Sequence, residues 1–140
     1  MNRSSGLDAA FQGFSILTKA RGRQRIVVPT SAGDLILDAD EIDWIEADDY
    51  YAAIHARNGR HLIRESLASL EQRLDHSQFL RTHRSAIVNL SRVCRVNKEK
   101  GQLLLVLRNG NRIPVSRRQR ARVIRTLRRP DKSDLQDPVA

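Results

Sequence analysis

Apolar residues recur along this chain at two spacings, and those spacings divide it into strands and helices. Short β-like runs at 25–28 and 35–37 are separated by Pro29-Thr30-Ser31-Ala32-Gly33-Asp34, a turn-rich connection. Asn58-Gly59 divides residues 50–56 from 60–64, and Asn109-Gly110 divides 102–107 from 112–115. Both dipeptides favour the positive φ angles of tight hairpin turns, so each predicts an antiparallel pair. Residues 103–107 are apolar at every position, the pattern of a strand covered on both faces. Helical spacing is confined to two stretches. Leu67, Leu70 and Leu74 follow the capping residue Ser66, with Glu71, Gln72 and Arg73 directed to solvent. Over residues 116–129, Ala121, Val123, Ile124 and Leu127 form an apolar stripe, Ser116 and Gln119 fit a capping box, and Pro130 stops the helix. The pattern predicts a mainly β fold with two small helices.

One segment breaks the alternation. Phe79-Leu80 and Ile87-Val88 are apolar anchors, yet Arg81, Thr82, His83, Arg84 and Ser85 stand between them where a core strand would simply continue. A second basic cluster, Arg117-Arg118, opens the last predicted helix, where positive side chains oppose the positive end of the macrodipole. An anion docked at the helix start relieves that opposition, with Arg120 and Arg122 close behind. Arg125, Arg128 and Arg129 read as a basic solvent face. The distribution of charge sharpens this. The chain carries a formal net charge of +9, but residues 79–129 hold 15 of its 25 basic residues and only one of its 16 acids, Glu99. Such segregation raises the potential over one part of the surface and favours a polyanionic partner, a nucleic acid or an anionic membrane face.

A chain of 140 residues suffices for one well-buried domain with short tails. We expect a flexible tail over 1–24, where Phe11, Phe14, Ile16 and Leu17 are too few to close a core, a domain over 25–129, and a flexible tail over 130–140. The single cysteine, Cys94, allows no internal disulfide, and its apolar surroundings predict a small buried residue. No run approaches the ~20 apolar residues of a membrane span and no signal-peptide core opens the chain, so the expectation is a soluble cytoplasmic protein. Catalytic signatures are missing. The acids Asp34, Asp38, Asp40, Glu41, Asp43, Glu46, Asp48 and Asp49 lack calcium-loop spacing and read as a solvated acidic edge. His55, His61, His76 and His83 give no zinc spacing, and no phosphate-binding glycine loop or glycine-flanked nucleophilic serine occurs. The expectation is a non-enzyme without cofactor or metal.

The residues that interrupt the 79–90 segment are of the types that bond phosphates and bases. Arg84 can donate two bonds to guanine O6 and N7, Ser85 can bond phosphate, and His83 can do either. Two roles stay open for Arg81 and His83: contact with nucleic acid, or support of the loop that makes it. Asn89 is assigned to fixing a turn through its amide.

These residues carry a family resemblance. Ile42-Asp43-Trp44-Ile45-Glu46-Ala47, Tyr50-Tyr51, Asn58-Gly59, Arg64-Glu65-Ser66-Leu67, Leu70, Leu74, the run from Phe79 to Ser85, Val88-Asn89 and Ile113-Pro114-Val115-Ser116-Arg117 resemble, in order, the LytTR family of bacterial DNA-binding domains. The resemblance implies an elongated antiparallel β-sheet sandwich of short strands with two small helices. It also implies sequence-specific binding of double-stranded DNA by loops in successive major grooves, often at direct repeats, in a response-regulator-like transcription factor. Carried over residue by residue, the contact loops are 48–51, with Tyr50 and Tyr51 as the contacts, His83-Arg84-Ser85, and Ser116-Arg117-Arg118. Base readout is then expected from Arg84 and Arg117, and phosphate contact from Arg81, His83, Ser85, Arg118 and Arg120. A homodimer on DNA and an upstream signalling partner are the further partners it suggests. Two other classes remain as alternatives: a basic RNA-binding module, and a protein-interaction module in which the acidic 34–49 segment meets the basic segment of another copy.

Overall fold

Both Asn-Gly dipeptides close hairpins, each with its glycine alone in the left-handed region. In the computed structural model, which describes residues 16–20 and 23–129, Gly59 has φ 131° and Gly110 φ 95°. The elements are β1 (Ile16–Ala20), β2 (Arg23–Thr30), β3 (Gly33–Asp38), β4 (Ile42–Asp48), β5 (Tyr51–Ala56), β6 (Gly59–Ile63), α1 (Leu67–Arg73), β7 (Phe79–His83), β8 (Ala86–Asn89), β9 (Val93–Glu99), β10 (Gln102–Leu107), β11 (Arg112–Val115) and α2 (Arg120–Arg128). Ala56 pairs with Gly59, so Arg57 and Asn58 form the first turn and glycine follows it. In the second, the Gly110 N–H donates to the Leu107 carbonyl at 2.8 Å.

The strands form three antiparallel sheets, ordered β1-β2-β3, β6-β5-β4-β8-β7 and β11-β10-β9. Strand alternation gives the five-stranded middle sheet two apolar faces. Ile45, Ile54, Ile63, Phe79 and Ile87 join Ile26, Val28 and Leu37 of the first sheet, with Leu67, Leu70 and Leu74, in one core. Leu80, Ala86 and Val88 join Leu103, Leu105, Leu107, Ile113 and Val115 of the third sheet, with Val123 of α2, in the other. The layered arrangement agrees with the expected sandwich, and each fully buried aliphatic side chain is worth about 1.5–3 kcal/mol. A bulge at Asp43 lets Ile42 and Ile45, three apart in sequence, reach the same core.

Polar residues tie the layers together. Ser66 caps α1 by accepting the Ser69 N–H at 3.1 Å, as its position predicts. Gln24, buried on β2, donates to the Arg73 carbonyl and accepts from the Asp75 N–H, both at 2.9 Å. The Asp75 carboxylate takes the hydroxyl and N–H of Ser77, which hold its carboxyl below the ordinary range. Asn89 has the structural role expected: fully buried, it caps the turn at residues 90–92 and bonds the carbonyls of Ala39 and Ile42.

Several expectations are corrected. Residues 16–20 form β1, paired with β2 from Ile16↔Val27 to Ala20↔Arg23, so structure begins inside the expected 1–24 tail; Phe11, Phe14 and residues 130–140 lie outside the described residues. Residues 29–34 are largely strand, with Pro29 pairing Asp34 and Thr30 pairing Gly33 across the turn. Cys94 is exposed. The pairing passes from Arg95↔Val106 to Val93↔Leu107, leaving Cys94 as the bulged residue of an edge strand. On β10 only one face is fully covered, since Leu104 and Val106 are half-buried. The acids of 34–49 are a set of paired groups more than a solvated edge: Asp38 meets Arg25 at 3.0 Å, Asp43 meets Arg92 at 3.2 Å, Glu46 meets His55 at 2.9 Å and Asp48 meets Arg60 at 2.5 Å. Among the described residues no helix is long and apolar enough to cross a membrane.

Candidate nucleic-acid interface

A bulge in β7 decides how the basic segment is displayed. Arg81 pairs with Ile87 and His83 with Ala86, so Thr82 is the extra residue and is fully buried. Directly opposed residues share a face. Arg81 therefore lies on the first-core face with Ile87, and His83 lies on the second-core face with Ala86. Strict alternation would place both on one side.

Arg81 holds the turn that follows. Its Nε donates to the His83 carbonyl at 2.9 Å, Nη2 to the Arg84 carbonyl at 2.8 Å, and Nη1 to Glu71 Oε1 at 2.9 Å. The side chain is only 17% exposed, so three donors of the guanidinium fork are fixed on α1 and the loop together. Of the two roles open to Arg81, this geometry supports the positioning one. Arg81→Lys, which cannot span three acceptors, is expected to cost about 1–3 kcal/mol in urea unfolding. A loss below about 0.5 kcal/mol would show that the fork is dispensable.

His83 Nδ1 accepts the Ser85 N–H at 3.1 Å and lies 2.9 Å from Ser85 Oγ. A ring nitrogen that accepts from a backbone N–H is unprotonated, so the proton of the neutral ring sits on Nε2, which stays a donor. Arg84 is exposed, and its guanidinium has no hydrogen bond or ion pair among the described residues.

Two backbone bonds bring the other predicted loops to this turn. The Ala47 N–H donates to the Ser85 carbonyl at 3.0 Å, docking the β4–β5 turn, and the Ser116 N–H donates to the Thr82 carbonyl at 2.9 Å, docking the segment after β11. In the first turn Asp49 adopts φ 56°, Tyr50 is 81% exposed and Tyr51 is half-buried. The pairing of Asp48 with Arg60 offsets one of the turn's two negative charges. In the third segment Arg117–Gln119 is a 3-10 turn and α2 starts only at Arg120, with no capping bond from the Ser116 side chain. The helix predicted from Ser116 is corrected accordingly. Arg117 and Arg118 remain exposed, and Arg120 is turned back, its Nη2 donating to the Gly101 carbonyl at 2.9 Å.

All the predicted residues except Ser85 line three adjoining clefts. Tyr50, Tyr51, Arg81 and Arg84 share the first with α1, Arg81, His83, Arg84, Ser116 and Arg118 line the second, and His83, Ser116, Arg117 and Arg120 line the third. Sequence reasoning missed Arg64 in the first and Lys100 in the third. The turn dipeptide Lys100-Gly101 was the available signal for the latter, though nothing in it announced the side of the molecule on which it lies. Among the described residues no group of three His, Cys, Asp or Glu side chains is placed to hold a metal ion.

A mainly β domain that gathers cationic and donor side chains of three segments about one turn has the make-up of a nucleic-acid-binding domain. The chain belongs to the LytTR family: the model described as the LytTr DNA-binding domain matches residues 33–128. The chain is 37% identical over 100 residues to the CO-responsive transcriptional regulator RcoM of Rhodospirillum rubrum, covering 69% of this chain and 42% of that protein. It is 24% identical over 97 residues to the sensory transduction protein LytT of Bacillus subtilis, covering 69% of this chain and 40% of LytT. It therefore spans less than half the length of either relative. A solved LytTr DNA-binding domain of a putative methyl-accepting/DNA response regulator from Bacillus cereus has the same fold, with a TM-score of 0.65 at 24% identity, covering 84% of this chain and 99% of that one.

Proposed function

We propose that this chain binds specific sequences of double-stranded DNA as the output module of a transcription regulator, seating its three loops in successive grooves. The observation that carries the reading is the pair of backbone bonds, Ala47 to Ser85 and Ser116 to Thr82, that docks the first and third segments against the central turn. Base readout falls to Arg84 and Arg117, whose guanidiniums are exposed, and phosphate contact to His83, Ser85, Ser116 and Arg118. Tyr50 reaches out from the first loop and Tyr51 supports it. Arg81 holds the central loop and Arg120 holds the β9–β10 turn beside the third, each adding positive potential to the surface it underlies. Two copies on a direct repeat, and a signalling input from a partner or from sequence adjoining this domain, complete the proposal.

Selection of genomic fragments on the immobilised protein, followed by sequencing, tests it. A recurrent motif, with a second copy at a spacing near one helical turn, is the expected result. Enrichment without a motif would reject sequence-specific binding. Structured RNA included as competitor addresses the RNA alternative: base stacking favours exposed aromatics, and Tyr50 is the only strongly exposed one among the described residues. Arg118→Ala is expected to weaken target and scrambled duplex alike and to reduce the slope of log K against log salt by about 0.9. An unchanged slope would remove Arg118 from the phosphate contacts.

A further inference from the structure

The third cleft holds cationic and donor groups that the three loops do not account for. It lies between the β9–β10 turn and the 3-10 turn after β11, and Lys100, Gly101 and Gln102 line it with His83, Arg117 and Arg120. Among the described residues no carboxylate lines it, and Glu99, the acid next in sequence, is engaged by Arg112. The turn is held in place: Arg120 Nη2 bonds the Gly101 carbonyl, while Arg120 Nε is buried without a hydrogen-bond partner. Lys100 adopts φ 53°, a left-handed conformation unusual for lysine. Lys100 and Gly101, at φ 80°, are the two residues of the tight turn between the paired Glu99 and Gln102, and such a turn requires positive φ at both. The turn brings Lys100 to the cleft that Arg117 also lines.

From this cleft we infer that the β9–β10 turn is a fourth DNA-facing element, with Lys100 and Arg120 clamping one backbone phosphate next to the groove that Arg117 enters. The inference rests on the proposed DNA binding and extends it. A phosphate oxygen satisfies what the cleft offers, several donors and no acceptor charge, and the contact is blind to sequence because no base edge is involved. Its consequence is a wider electrostatic footprint, reaching past the third loop onto the adjoining backbone.

Salt titrations on the selected duplex and on a scrambled duplex test the inference with Lys100→Asn. Asparagine accepts left-handed φ and removes the charge without new strain, and Lys100→Gly serves as a second variant with the same backbone freedom. The control is Arg57→Gln, an exposed cation in the β5–β6 turn, whose N–H bonds the Glu41 carbonyl away from the clefts. Both Lys100 variants are expected to lower the slope of log K against log salt by about 0.9 and to leave the ratio of target to scrambled affinity unchanged, while Arg57→Gln keeps the parent slope. Parent slopes in both Lys100 variants would overturn the clamp. So would a change in the specificity ratio, which would make Lys100 a base reader. If the parent protein binds the duplex and loses specificity on Arg84→Ala while the Lys100 variants match it, the clamp alone fails. If the parent binds no duplex, the DNA-binding reading fails and takes the clamp with it.

Discussion

Arg84→Ala is expected to reduce discrimination between target and scrambled duplex by about 1–3 kcal/mol while leaving the fold intact. Arg84 is exposed, its guanidinium engages nothing among the described residues, and its carbonyl is held by Arg81 at 2.8 Å. Truncation at Cβ therefore removes a contact-forming group without disturbing the turn that presents it. Loss of a bidentate bond to a guanine edge affects the cognate complex and spares the non-specific one, so the ratio of dissociation constants is the quantity to measure. An unchanged ratio would exclude Arg84 from base readout. A melting temperature equal to that of the parent is the accompanying control, because only a loop disturbance would lower both affinities and stability together.

Asn89→Ala is expected to have the largest effect on stability, about 3 kcal/mol or more in urea unfolding. The side chain is fully buried; its Nδ2 donates to the carbonyls of Ile42 at 2.7 Å and Ala39 at 3.3 Å, and its Oδ1 accepts the N–H and hydroxyl of Ser91 at 3.0 and 2.8 Å. Alanine would leave groups on two chain segments without this partner, and each buried unsatisfied group costs roughly 1–3 kcal/mol. Asn89→Asp keeps the acceptor but loses the donor and places a charge in the interior, so it should fare no better. A loss under about 1 kcal/mol for Asn89→Ala would mean that water or backbone relaxation replaces the amide.

Local chemistry made some features legible. Glycine in each Asn-Gly dipeptide relieves a positive φ that other residues resist, so both hairpins could be read directly, and Ser66 marked the start of α1 for an equally local reason. Three loop segments followed from the order of the motif residues, and the structure brings them together through Ala47, Ser85, Thr82 and Ser116. What was misread depends on distant partners. Cys94 looked buried because its neighbours are apolar, but a bulge on an edge strand turns it out. The 34–49 acids looked like an unpaired edge because Arg25, Arg60 and Arg92, which neutralise three of them, lie 12 to 49 residues away in sequence.

The alternation of apolar and polar residues was enough to settle the mainly β architecture and the place of its turns, because φ preference and side-chain period act within a few residues. Segregation of charge was likewise enough to point to a polyanion. Which side of the sheet each cation occupies was decided only on folding. One extra residue, Thr82, reverses the face on which His83 lies relative to Arg81, sending Arg81 to Glu71 and His83 toward the cleft that also contains Lys100. A bulge is a property of two paired strands, and neither strand carries it alone.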